Sequence, residues 1–200
     1  MTRQKDSGIS SERLSLLLKV GLRLASERDS ERLLRMIIEE TTAVMDAERS
    51  SLFLIDRKKN EMWAKIAQAA EVHEIRFPLG LGIAGTVGKT GEAINIPDAY
   101  RDSRFNPEFD KKTGFRTRSI LCVPMKNLHG EVLGAIQVLN KHDGSFDAGD
   151  ATLLTALAAQ AAVTIENADL YRKLSELTLS LEKKVKERTA ELVAANDRLS

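Results

Sequence analysis

The sequence predicts an α+β domain, an antiparallel sheet bracketed by helices. Three observations carry that expectation. Apolar residues recur at helical spacing from Ser10 to Asp46, then alternate from Ser51 onward. The alternating runs are joined by short polar turns, and strands linked by sequential hairpins form an antiparallel sheet. From Asp147 the helical spacing returns and runs to the end of the chain.

In order, residues Met1 to Ser7 are polar and expected to be disordered. A helix is predicted from Ser10, a plausible cap, to Ser26, with Leu14, Leu17, Leu18, Gly21, Leu22 and Ala25 on one face. A second starts near Asp29 or Ser30, carries a stripe of Leu33, Leu34, Ile37, Ile38, Thr41, Val44 and Met45, and ends around Asp46. Strands are expected at Ser51–Ile55, Met62–Ala67 and Glu71–Phe77, with a turn over Asp56–Asn60. Glycines at 80, 82, 85, 88 and 91 bracket a short helix at Ile83–Lys89, and Ala93–Ile96 is a short strand. Pro97 to Thr117 reads as long and mostly irregular; its aromatics Tyr100, Phe105, Phe109 and Phe115 argue for an ordered lid. Strands follow at Ser119–Lys126 and Glu131–Leu139 around the turn Asn127–Gly130.

The last helix is small and apolar up to Ile165, then highly charged beyond Asn167. Leu170, Leu174, Leu177, Leu181, Val185, Arg188, Leu192, Ala195 and Leu199 follow one another at steps of 4, 3, 4, 4, 3, 4, 3 and 4. That is a coiled-coil seam with a stutter between Leu181 and Val185. A second copy in parallel is the expected partner. A solvated helix face is the alternative reading of the charged tail from Glu182 to Arg198. Three units are expected: 1–29 as tail and helix, 30–167 as the globular domain, 168–200 as the start of a helical linker toward a further domain.

Composition narrows the function. The 200 residues suit one domain with helical extensions, and 42% hydrophobic residues suffice for a core. A net charge of +1 lacks the basic excess of a nucleic-acid binder. No segment reaches the roughly 20 continuous apolar residues of a membrane span, and MTRQKDSGIS lacks the apolar run of a signal peptide. A cytoplasmic location without direct membrane contact is expected. Cys122 is the single cysteine, which excludes an internal disulfide or a cysteine-based zinc site. Flanked by Ile120, Leu121 and Val123, it reads as a buried structural thiol rather than a redox sensor. His73, His129 and His142 are scattered without metal spacing or a nucleophile partner. No catalytic or metal-ligating set is expected, and Trp63 reads as a packing residue.

The polar joint Asn140–Ser145 links the last strand to the last helix. Phe146 can pack against the first turn and Asp147 can cap it. Asp150, three residues on, faces the positive end of the helix dipole.

Four blocks are similar to a known family: Gly82–Gly85, Asn95–Tyr100, Thr113–Pro124, and the joint itself through Asn140, Lys141, Phe146 and Asp150, with Ala151 in place of a final glutamate. Together with the element order, they resemble a GAF domain over roughly Ser30 to Asn167, of the type found in cyclic-nucleotide phosphodiesterases and bacterial adenylyl cyclases. The resemblance implies a six-stranded antiparallel sheet, helices on one face for dimerisation and signalling, and a ligand pocket on the other face under the lid. It implies a pocket drawn from Ser51, Ala67, Gln68, Ile83, Ala84, Asp110, Thr113, Thr117 and Gln137. The short helix would offer free N–H groups to a phosphate, Thr113 and Thr117 hydroxyls to phosphate or base, and Ser51 and Gln137 a base edge. Ala67 stands where an aromatic residue is frequent and Gln137 where a glutamate is, so selectivity between cAMP and cGMP does not carry over. The resemblance pairs Lys141 with Asp150 as a structural clasp; Asp150 can equally be a capping carboxylate. Arg116 and Arg118 can meet a phosphate or pair with the acidic lid.

The implied function is a regulatory sensor, not an enzyme. A small molecule, cAMP or cGMP, would order the lid, and a homodimer of N- and C-terminal helices would carry the change. Leu181–Leu192 resembles linkers that lead into histidine kinases and diguanylate cyclases, so such an output domain is expected. The alternatives are a ligand-free dimerisation module and a sensor of another small molecule. A bilin would need a cysteine near a histidine, and methionine-sulfoxide reduction would need several cysteines.

Overall fold

The computed structural model describes residues 11–25, 27, 29–68 and 71–199. Expectations at Met1–Ser7, Ser10 and Ser26, and for the side chains of Leu14, His73, Leu192, Ala195 and Leu199, lie outside the described residues.

Two helices lead, α1 (Ser11–Ala25) and α2 (Ser30–Val44). Asp29 caps α2 by accepting the Arg32 N–H at 2.8 Å. Strands β1 (Ala47–Asp56), β2 (Glu61–Gln68) and β3 (Glu71–Pro78) follow. The turn after β1 is set by Asp56, whose Oδ1 accepts the N–H groups of Lys58 and Lys59. Then come α3 (Gly82–Thr90), β4 (Ile94–Ile96), a 3-10 turn at Ala99–Arg101, α4 (Glu108–Thr113), β5 (Ile120–Lys126), β6 (Val132–Lys141) and α5 (Ala148–Leu199).

The strands form one six-stranded sheet in the order β3-β2-β1-β6-β5-β4, antiparallel at every pairing. Non-sequential β1 and β6 form the centre, so the first and last strands of the domain hydrogen-bond to each other. Period-two alternation splits their side chains between two cores. Leu52, Leu121, Val123, Ile136 and Val138 face α2 and α5. Phe53, Ile120, Cys122 and Ala135 face the opposite way and pack with Ile83, Ala84 and Val87 of α3. α3 approaches closely because it is glycine-rich: a Cβ on Gly88 would fall 2.7 Å from Met62 Sδ.

Three expectations are corrected. β1 begins at Ala47, not Ser51, and β6 runs on to Lys141, past Leu139. Ladder bonds such as Ala47↔Lys141 and Arg49↔Leu139 hold the polar stretch Glu48-Arg49-Ser50 in the sheet, which hydropathy alone does not signal. The lid is less irregular than expected, since it holds the 3-10 turn and α4. Arg116 and Arg118 do not pair with the acidic lid. The Arg116 guanidinium lies 4.1 Å from the centre of the Tyr100 ring, and Arg118 pairs with Glu48.

By length and composition alone, α5 is apolar enough to cross a membrane. Its apolar residues Leu153, Leu154, Leu157, Ala158, Ala161 and Ala162 are buried in the sheet-facing core, which accounts for that composition.

Candidate functional site

The candidate site residues gather on the face of the sheet that packs with α3. Ser51 and Gln137 are direct partners across β1 and β6, and Cys122 is the next partner across β5. Alternation places all three on the α3 side. Ser51 and Gln137 are half-buried. Cys122 is fully buried, which pushes its thiol pKa up, as expected of an inert structural thiol. Ile83 and Ala84 sit buried in the first turn of α3, which begins after Leu81 without a side-chain cap. Amides in such a first turn have no partner within the helix, so a polar ligand can use them.

The other expected site residues divide. Asp110 and Thr117 are together, but bonded to each other: Thr117 donates its hydroxyl to Asp110 Oδ1 and its N–H to Oδ2, both at 2.7 Å. The Tyr100 hydroxyl donates to Oδ2 at 3.0 Å. Partial burial and then this carboxylate raise the Tyr100 pKa. Thr113 is exposed at the end of α4 and donates to the Phe109 carbonyl at 2.9 Å, so it is apart from the others. Ala67 and Gln68 lie at the end of β2, opposite Val72 and Glu71; their side chains are outside the described residues.

Some contacts lie beyond what the sequence signals. The Arg49 guanidinium sits 3.9 Å from the centre of the Phe115 ring and ties the lid to β1. With the strand extended to Ala47, alternation places Arg49 on the same face as Ser51. Within the lid, the Arg104 guanidinium donates twice to Asp102, at 2.9 and 2.6 Å, and lowers its carboxyl pKa to about 2.

The joint is densely bonded. Asn140 is completely buried, with φ at +55°, a left-handed region that Asn tolerates better than most residues. Its Oδ1 accepts the N–H groups of Arg118 at 2.6 Å and Ser119 at 3.3 Å. Its Nδ2 donates to Glu48 Oε2 and to the Arg116 carbonyl, both at 2.8 Å. Asn140 first and Arg118 second lower the Glu48 pKa. Lys141 pairs with Asp150, whose Oδ2 also accepts the Asp147 N–H at 3.0 Å. In return Asp147 Oδ1 accepts the Asp150 N–H at 2.8 Å. Asp150 therefore plays both roles the sequence leaves open, clasp and cap. Phe146 is buried in the core, and its carbonyl accepts from Asn95 Nδ2 at 2.8 Å, tying β4 to the joint.

Comparison with known proteins agrees with this arrangement. The family model for the GAF domain matches residues 29–165. The chain belongs to the GAF domain family. Curated relatives point to the phosphodiesterase branch. One is a probable 3′,5′-cyclic phosphodiesterase, pde-5, of Caenorhabditis elegans, 41% identical over 143 residues, covering 66% of this chain and 20% of that protein. Another is the dual 3′,5′-cyclic-AMP and -GMP phosphodiesterase 11 of Drosophila melanogaster, 34% identical over 167 residues, covering 75% of this chain and 12% of that protein. The chain thus spans a fifth or less of the length of these relatives. Among solved structures, the GAF domain of an Acinetobacter phosphoenolpyruvate-protein phosphotransferase superposes with a TM-score of 0.68 at 21% identity, covering 82% of this chain and 99% of that one. A free methionine-R-sulfoxide reductase from Neisseria meningitidis superposes with a TM-score of 0.67 at 18% identity, covering 86% and 96%. At such identities these structures establish the shared fold. GAF domains are regulatory sensor modules, homologous here to those of cyclic-nucleotide phosphodiesterases.

Proposed function

We infer that this GAF domain is a cyclic-nucleotide sensor that regulates an output domain through its last helix. The observation that carries the reading is the half-buried Ser51–Gln137 pair on the central strands, on the sheet face whose apolar residues Phe53, Cys122 and Ala135 pack with Ile83 and Ala84 of the uncapped first turn of α3. A hydroxyl beside a carboxamide presents donors and an acceptor to a base edge. The α3 amides near Ile83 and Ala84 suit a cyclic phosphate. The phosphodiesterase relatives support this choice of ligand. Calorimetry on the whole chain with cAMP and cGMP tests it. One of the two is expected to bind, and Ser51→Ala or Gln137→Ala is expected to weaken binding about tenfold, as for loss of one well-placed hydrogen bond. Absence of heat from both nucleotides, with unchanged hydrogen exchange in the lid, would end the reading.

A second reading, a ligand-free dimerisation module, is favoured by one observation: Asp110 and Thr117 already satisfy each other.

Both readings use a homodimer. Leu170, Leu174, Leu177, Leu181 and Val185 are 52–63% exposed along α5, and Leu18 and Leu22 are exposed on α1. A stripe of that spacing is suited to a second copy of the same helix. The output expected beyond the helix is a histidine kinase or a diguanylate cyclase. Light scattering at about 50 µM, a range where mass action favours weak dimers, is expected to report a dimer, and a Leu177→Glu/Leu181→Glu variant a monomer. A monomeric wild-type chain would count against the seam.

A further inference from the structure

We propose that Asp110 is a latch that holds the lid in one folded arrangement, and that Asn140 relays the latched state to the first turn of α5. The proposal rests on reading residues 97–117 as a lid and adds how that lid is coupled to the output helix.

Asp110 is buried although it is a carboxylate on a short, otherwise mostly exposed helix. Buried carboxylates require partners, and those of Asp110 come from each side of α4 in sequence. Tyr100 belongs to the 3-10 turn before it, and Thr117 to the segment that leaves the lid. One carboxylate therefore binds the lid's entry, its helix and its exit. All three bonds end on an ionised acceptor, the stronger kind of protein hydrogen bond. A residue whose role was to meet a ligand would keep an oxygen free for it. Here three of the roughly four acceptor sites of the carboxylate are engaged with the lid itself.

The exit segment continues directly into the relay. Thr117 lies between Arg116 and Arg118, and the backbone of both neighbours is bonded to the Asn140 carboxamide. Thr117 cannot leave Asp110 without displacing these groups. Asn140 would then lose buried partners at both ends of its amide, a costly state. The Asn140 side chain would have to follow the segment or release it, with Glu48 holding the remaining donor. Lys141, the next residue, carries the clasp to Asp150 in the first turn of α5. A shift at Asn140 is thus imposed on the residue that anchors the output helix. Coupling of this kind requires an element with two arrangements that both sites bias. The segment 116–118 is the element to which the proposal assigns them, since it is bonded to Asp110 on one side and to Asn140 on the other.

Hydrogen exchange on the whole chain without nucleotide tests the proposal. In Asp110→Asn the carboxamide can still accept through its oxygen, but its NH2 cannot accept from Thr117. Amides in 97–117 and in 141–150 are expected to exchange about tenfold faster, the scale for one charge-assisted bond, while Leu121–Val123 in the core remain protected. Thr117→Val, which deletes the hydroxyl bond alone, should give the same pattern at smaller amplitude and serves if the first variant does not fold. Faster exchange in the lid with no change at 141–150 would remove the relay. Unchanged exchange in both segments would remove the latch. If both segments respond while neither cyclic nucleotide binds, the ligand assignment falls and the latch stands.

Discussion

Gly134→Ala is expected to cost about 3 kcal/mol or more of folding stability, at the upper end for an overpacked core. Gly134 lies in β6, opposite Leu54 of β1 on one side and Met125 of β5 on the other. A Cβ there would sit 2.0 Å from the Phe53 carbonyl oxygen and 2.7 Å from Met125 Cε. The methionine tip can move; the carbonyl cannot, because it belongs to the central strand pair. Relief requires β1 and β6 to separate locally, and those strands carry Ser51 and Gln137 three residues away along the ladder. Chemical denaturation measures the loss. The comparison is Gly144→Ala, at φ +76° in the joint with no atom within 4 Å of the added Cβ. That substitution should cost about 1–2 kcal/mol, the strain of a left-handed backbone alone. If Gly134→Ala is no worse than Gly144→Ala, the close approach does not govern the sheet.

The contrast between Gly134 and Gly144 also shows what is legible in the sequence. Gly144 stands in a polar turn that the sequence marks plainly, with Asn140, Asp143 and Ser145 around it. Gly134 sits within an apolar run and carries no local mark, because what requires glycine there is a carbonyl from a strand some eighty residues earlier. The same division holds at the site. Alternation is enough to put Ser51 and Gln137 on one face, since that depends only on strand period and pairing. The Asp110–Thr117 bond is hidden for the opposite reason. Both residues have the chemistry of ligand contacts, and nothing in their spacing says that each is the other's partner. Arg49 and Glu48 escape a reading by hydropathy because their strand continues through polar residues, held by β6 rather than by hydrophobicity. Of the joint, capping and turn formation are legible because they act over a few residues; the Lys141–Asp150 pairing follows from the family resemblance, and the bonds of Asn140 to Glu48 and to residues 116–119 come from segments far away in sequence.

Asp150→Ala is expected to destabilise the domain by about 3–4 kcal/mol, the range for removing one member of a buried ion pair. The Asp150 side chain is 3% exposed and that of Lys141 17%. At a surface the same pair would be worth at most ~1 kcal/mol. Three effects add here. The Lys141 ammonium is left mostly buried without its carboxylate. The Asp147 N–H loses the acceptor that Asp150 Oδ2 provides at 3.0 Å. The first turn of α5 loses a negative charge at its positive end. Lys141→Met should cost about half as much, because its apolar stem still packs and Asp150 still caps the helix. The double variant should then fall well short of the sum of the two, since each single change strands a charge that the other removes. Urea denaturation of the four proteins closes the cycle. Additive losses, or a loss below ~1 kcal/mol for Asp150→Ala, would mean that water reaches the pair. The joint would then be too soft to transmit a shift from Asn140 into α5.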